Sequence, residues 1–179
     1  MTDRVLVGYG TRYGSTAETA EEMAKAAQEI GVEVDVVDLK KSAPPRPLQD
    51  YDLVVIGSGI QAGRWAKEPL RFIEKNLDAL AKNRAAIFVV CGYAANPAKC
   101  EFAQIEFLNK IVEEYPSLAP VSTGLFPGVF DFSKYNFLMR SLVKRMLKSE
   151  MEPGEEIPDK IDLRDNERVR EWITGLVQR

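Results

Sequence analysis

Five short apolar runs, separated by stretches whose apolar residues recur every three to four positions, constrain this chain more than any other feature. Residues 4–9 (RVLVGY), 33–39 (EVDVVDL), 53–58 (LVVIGS), 85–91 (AAIFVVC) and 121–126 (VSTGLF) read as strands. Between them, Ala20, Met23, Ala24, Ala27 and Ile30 fall on one helical face after Thr16, and Gly31 supplies a stop. Leu70, Ile73, Leu77 and Leu80 repeat that spacing over 66–80, with Pro69 tolerable in the first turn. Ile105, Leu108, Ile111 and Val112 do so over 102–115. Asp165 can cap a last helix whose stripe is Val169, Trp172, Ile173 and Leu176. Pro44, Pro45 and Pro47 belong to a loop. Strands apolar on both faces and alternating with helices predict a parallel sheet between two helical layers, one three-layer α/β domain over residues 1–179.

At 179 residues and 45% hydrophobic positions the chain can bury a sizeable core without staples. It contains no histidine, which removes Ser-His-Asp triads, Cys-His pairs and His-ligated zinc. Cys91 and Cys100 are too few for a disulfide framework and too far apart for C-x-x-C redox chemistry, so a cytoplasmic setting is expected. The opening residues do not read as a secretory signal, and the apolar runs are far short of a membrane span. No catalytic constellation and no metal-ligand set emerges, so chemistry must come from other side chains or a bound cofactor. The net charge is -3, yet residues 134–148 hold Lys134, Arg140, Lys144, Arg145 and Lys148 and no acid. The remainder therefore carries -3 minus 5, or -8, which argues against nucleic-acid binding and suits docking to basic partner surfaces.

In sheets of this kind ligands sit beyond the carboxyl ends of the strands, where strand order switches. The first such loop, Tyr9-Gly10-Thr11-Arg12-Tyr13-Gly14-Ser15-Thr16, offers a helix N-terminus, hydroxyl donors at Thr11, Ser15 and Thr16, and the Arg12 charge, a combination that suits a phosphate. Ser15-x-x-Glu18 equally fits a capping box that needs no ligand. A Walker A loop is excluded because no lysine followed by Ser or Thr comes after the glycines. Gly8-x-Gly10-x-x-x-Gly14 is one residue too long for a dinucleotide fingerprint, although Asp38 stands where a ribose-binding acid would. A phosphorelay receiver needs paired acids where this strand has Gly8, Tyr9 and Gly10. The second loop carries Gly57, Ser58, Gly59, Ile60, Gln61, Gly63, Arg64 and Trp65, allowing close backbone approach beside an aromatic ring that either stacks on a heterocycle or covers the next helix. The third, Cys91-Gly92-Tyr93-Ala94-Ala95-Asn96, again sets a glycine beside an aromatic residue. Together the three loops describe a pocket for a phosphorylated planar ring.

On these residues the chain resembles the flavodoxin family. Thr11-x-x-Gly14-Ser15-Thr16 is similar to the family's phosphate loop, and the 58–65 and 91–96 loops to the segments that flank its flavin. Tyr13 departs from the small hydroxyl residue common there. Thr11-Arg12-x-Gly14-x-Thr16, Ile60-x-x-Gly63, a long segment before the last helix and the Asp162-Leu163-Arg164-Asp165 approach to Trp172 resemble the branch that includes menaquinone-dependent protoporphyrinogen dehydrogenases. The resemblance implies a flavodoxin-like sandwich with a five-stranded parallel sheet in the order 2-1-3-4-5 and FMN at the switch between strands 1 and 3. It implies that Thr11, Arg12, Tyr13, Gly14, Ser15 and Thr16 hold the phosphate and that Trp65 and Tyr93 flank the ring. Ser58, Gly59 and Ile60 would present backbone to the flavin N5 edge, with Gln61, Gly63, Cys91, Gly92 and Ala94 completing the site.

The segment 127–163 is longer than a simple connection needs. Within it Tyr135, Leu138, Met139, Leu142 and Met146 recur at helical spacing, predicting a basic amphipathic helix. It either packs its apolar stripe on the domain, with Glu150, Glu152, Glu155 and Glu156 neutralising it, or docks on an acidic redox partner, a membrane or quinone, or a partner subunit. The expected function is that of an FMN-binding, low-potential electron carrier between cytoplasmic oxidoreductases. The alternative is a protoporphyrinogen dehydrogenase-like flavoenzyme passing electrons to quinone.

Overall fold

The computed structural model describes residues 2–149 and 151–179. The chain runs β1 (Arg4–Gly10), α1 (Ser15–Glu29), β2 (Glu33–Asp38), β3 (Leu53–Gln61), β4 (Arg64–Trp65), α2 (Lys67–Leu80) and β5 (Arg84–Val90). It continues through α3 (Pro97–Gln104), a π-helical stretch (Ile105–Asn109), α4 (Lys110–Glu114), β6 (Ser122–Phe126), β7 (Val129–Asp131), α5 (Phe137–Lys148), β8 (Lys160–Asp162) and α6 (Asn166–Val177). All five expected strands are present and pair in parallel in the order β2-β1-β3-β5-β6. This is the expected 2-1-3-4-5 arrangement once the two-residue strand β4, which the apolar pattern does not reveal, is passed over.

The double-sided burial of the strands explains their continuous apolar runs. On β3, Val54 and Ile56 face one helical layer with Ile73 and Leu108, while Leu53 and Val55 face the other with Met23 and Ile173. Ile87 and Val89 of β5 join the first core and Phe88 and Val90 the second. Asp165 caps α6 as expected, accepting from the Arg168 N–H at 3.0 Å. Asn96, accepting from Ala98 N–H at 3.0 Å, caps α3, which begins at Pro97, five residues before the periodicity predicted.

The segment after β6 is anchored by an antiparallel ribbon in which Val129, Phe130 and Asp131 of β7 face Asp162, Ile161 and Lys160 of β8. Phe132, fully buried, and a turn in which Asp131 accepts from Ser133 N–H lead into α5, whose N-cap Asn136 accepts from Met139 N–H at 2.8 Å. The amphipathic helix forms, but its stripe does not pack on the domain. Leu138, Leu142 and Met146 are exposed, and only the face of Met139, Val143 and Leu147 is half-buried. The expected neutralisation by acids is absent for Glu152, Glu155 and Glu156, which form no ion pair with α5 among the described residues; Glu150 lies outside them. Among the described residues no helix is long and apolar enough to cross a membrane.

Candidate functional site

A cavity of about 590 Å³, within the range of cofactor pockets, opens at the carboxyl ends of β1, β3 and β5. Its floor is the start of α1. Gly14 occupies the N-cap with φ 97°, a conformation open to glycine, and contributes no side chain to the helix end. The capping box allowed by Ser15-x-x-Glu18 does not form. Ser15 Oγ instead accepts from the Val129 N–H at 3.0 Å, and Glu18 pairs with Arg164. The α1 N-terminus thus keeps first-turn N–H groups without side-chain caps, aimed along a positive dipole end. Thr11 Oγ1 accepts from Gly14 N–H at 3.0 Å and folds the loop back on itself. Thr16 is buried against β3, so close that a Cβ on Gly59 would lie 2.7 Å from its Oγ1.

One wall is the β3–β4 hairpin, in which Ile60 faces Trp65 and Gln61 faces Arg64 across a turn with positive φ at Ala62 (48°) and Gly63 (71°). Trp65 lines the cavity and is itself locked in place, its indole N–H donating to the Phe107 carbonyl at 2.6 Å. The opposite wall holds Cys91, Gly92 and Phe130. The Phe130 ring lies so near Gly92 that a Cβ there would meet its Cζ at 2.3 Å. Burial pushes the Cys91 thiol up to about 11, so it stays a neutral thiol at neutral pH. Across the mouth, Tyr13 packs at a tilt of 57° against Tyr135 with ring centroids 4.5 Å apart, accepts from Gln61 Nε2 at 3.1 Å, and its carbonyl accepts from Lys134 Nζ at 3.1 Å. Desolvation raises the Tyr135 phenol to about 12, which keeps it neutral.

The structure brings Thr11, Arg12, Tyr13, Ser15 and Thr16 together with Gly59, Ile60, Gln61, Trp65, Cys91 and Gly92 around this cavity. Gly14, Ser58, Gly63, Tyr93 and Ala94 do not line it; Ser58 and Ala94 are buried and Gly63 is exposed at the hairpin turn. Ser58 is fully buried, its Oγ accepting from Ala66 N–H at 2.8 Å, and thereby fixes the hairpin from behind. The Tyr93 ring packs on Phe107 and Phe102, with centroids 6.2 and 5.8 Å away, in an aromatic cluster on α3 and the π-helical stretch. Sequence reasoning did not single out Lys40, Lys67, Glu68, Gly128, Val129, Phe130 or the placement of Tyr135 at the mouth. A basic residue just after each strand or at a helix start was the available signal. Arg12, Lys40, Arg64 and Lys67 line the cavity and form no ion pair among the described residues; Glu68 is the one carboxylate on the wall. The site is therefore a cationic cleft with a helix N-terminus at one end and an aromatic slot at the other, chemistry that fits a phosphorylated heterocycle.

A family model described as a flavodoxin domain matches residues 6–156. The Escherichia coli K12 protein named protoporphyrinogen IX dehydrogenase [quinone] is 26% identical over 145 residues, 81% of this chain and 79% of that one. Oxidised flavodoxin 1 from Bacillus cereus superposes with a TM-score of 0.54 at 20% identity, over 98% of this chain and 97% of that one. A flavodoxin, WrbA-like protein from Agrobacterium tumefaciens gives 0.56 at 15%, over 99% and 96%.

Proposed function

Because this chain belongs to the flavodoxin-domain family, we propose that it binds FMN in this cavity and works as a quinone-linked oxidoreductase of the protoporphyrinogen dehydrogenase kind. The observation that carries the reading is the cationic lining of Arg12, Lys40, Arg64 and Lys67 around a cavity floored by the uncapped start of α1. The α1 N–H groups with Thr11 and Thr16 hold the phosphate, and the Trp65 and Phe130 walls take the ring. FMN, when bound, supplies a ring that accepts and releases an electron pair, and cations around it favour negative charge on that ring. A surround of this sign opposes a low potential and suits pairwise transfer. Two electrons and two protons leave the donor for each quinone converted to quinol. The name of the Escherichia coli relative supports a quinone acceptor.

A low-potential carrier between cytoplasmic oxidoreductases is the second reading, favoured by a wall whose carboxylate is Glu68 alone and which offers no acid–base pair among the described residues. The two separate in one series of measurements. Purified protein is titrated with FMN, and Thr16→Val is expected to weaken binding at least about tenfold by removing one phosphate donor. The loaded protein is then given protoporphyrinogen and soluble menadione under anaerobic conditions. Porphyrin and quinol appearing with balanced electrons is the expected result. FMN binding with neither product would leave the carrier reading in place. Failure to bind FMN would remove both.

A further inference from the structure

Helix α5 stands apart from the two cores, with no fully buried residue and an outward stripe of long apolar side chains. Phe137 is 88% exposed, Leu138 78% and Leu142 62%, and Met146 continues the row one turn on. At 100° per residue, Leu138, Leu142 and Met146 share one face with Arg145 at its edge, whereas Lys148 lies about 120° and Lys144 about 160° from the middle of that face. Lys144, Arg145 and Lys148 form no ion pair among the described residues. They open on a cleft of about 680 Å³ whose other side includes Glu155 and Glu156, neither of which is paired with them. Arg140 is spent on Asp159 at 3.2 Å, and Lys144 Nζ lies 5.2 Å from the centre of the Phe132 ring.

We propose that α5 is an in-plane anchor that seats the protein on an anionic lipid surface. The inference goes beyond the proposed function and does not depend on it. A convex apolar row with Arg145 at its edge matches the interfacial zone of a bilayer, where the row enters the acyl boundary, the Arg145 guanidinium reaches headgroup phosphates and the lysines behind it add to the long-range attraction. A protein partner would have to supply both an apolar groove and acids. The bilayer supplies both requirements as one continuous surface, and the charge contrast with a body of net -8 orients the molecule with α5 towards it. The anchor also has a geometric consequence. Tyr135, on the wall of the cavity, directly precedes the Asn136 cap of α5, and Lys134 is bonded to the Tyr13 carbonyl at its mouth. Docking through α5 therefore brings the cavity mouth beside the lipid, within reach of an apolar molecule dissolved in it.

The test is co-sedimentation of the full chain with extruded vesicles of phosphatidylcholine, with and without phosphatidylglycerol. Binding to the phosphatidylglycerol vesicles at low salt, weaker by about tenfold on neutral vesicles and in high salt, is expected. Leu138→Glu with Leu142→Glu should abolish it, and Arg145→Glu with Lys148→Glu should reduce it to the neutral-vesicle level. All four positions are exposed, and circular dichroism and melting confirm that each variant folds. Wild-type protein remaining in the supernatant overturns the proposal, as does equal binding by the Leu138→Glu, Leu142→Glu variant. A dimer in sedimentation velocity that this variant dissociates would also overturn it, assigning the stripe to a second copy. Vesicle binding without quinone reduction leaves the anchor standing and counts against the proposed function alone.

Discussion

The Trp65 indole donates to the Phe107 carbonyl at 2.6 Å and also lines the cavity, so one side chain ties the β3–β4 hairpin to the π-helical stretch packed in the core beside it. Phe107 lies in the π-helical stretch Ile105–Asn109, where a wider turn leaves a carbonyl free to accept from outside the helix. Trp65→Phe keeps an aromatic face and removes the donor, leaving a buried carbonyl short of a partner. A loss of about 1–3 kcal/mol in stability is expected from urea unfolding. An unchanged midpoint would mean that the carbonyl re-enters the helical ladder. That Trp65 stands beside a glycine-rich loop was legible; that its N–H is committed to a residue forty-two positions away was not. Ser15 and Glu18 illustrate the same limit. Their spacing fits a local box, but Val129 and Arg164 arrive from the far end of the chain and take both side chains. The resemblance sets Tyr93 beside the ring, whereas in the fold Phe102 of α3 and Phe107 of the π-helical stretch pack against it.

Long elements with a strong period were readable because burial on a sheet or under a helix imposes that period directly. β1, β3 and β5 are apolar on both faces and declare themselves; β4, β7 and β8, two or three residues each, are held by partners the local pattern cannot show. The ribbon of β7 and β8 nonetheless decides where Phe130 and Tyr135 stand, and a carboxylate holds its end. Asp162 accepts from Arg164 Nε at 2.9 Å and from Nη2 at 2.5 Å, and this pairing, ahead of any other cause, lowers its pKa to about 2. Arg164 also pairs with Glu18, linking the ribbon to the first turn of α1. The folded value lies below the unfolded value of 3.8, so the stabilisation is complete above about pH 4 and is lost as pH falls towards 2. Asp162→Asn should lower the melting temperature at neutral pH by up to about 4 °C, a small effect because the pair is partly exposed. Its melting temperature should also fall less steeply than that of the wild type between pH 4 and 2. Some slope remains, since backbone N–H groups of Arg4 and Asp3 lower Asp52, and the Ser133 hydroxyl lowers Asp131. Parallel wild-type and variant curves would assign the acid sensitivity to those two carboxylates instead.

At the scale of the whole molecule, charge is sorted rather than spread. A net charge of -3 conceals a basic segment 134–148 and a cavity lining of Arg12, Lys40, Arg64 and Lys67 within an otherwise acidic body. An anionic ligand approaching such a surface is repelled almost everywhere and drawn to the cleft, where low-dielectric walls concentrate the field. The association rate of FMN therefore carries the signature of this arrangement, because exposed rim charges act at a distance through solvent and are screened by salt. Stopped-flow quenching of FMN fluorescence should show an on-rate that falls about tenfold from low to high ionic strength. Lys40→Glu with Arg64→Glu leaves the α1 N-terminus, Thr11 and Thr16 in place but reverses half of the rim. Its on-rate should be slower at low salt and nearly flat as salt is added, while the dissociation rate changes little. A wild-type on-rate indifferent to salt would show that the rim does not steer the ligand. The cationic lining would then lose its place as the observation on which pairwise electron transfer was proposed, and the carrier reading would take precedence.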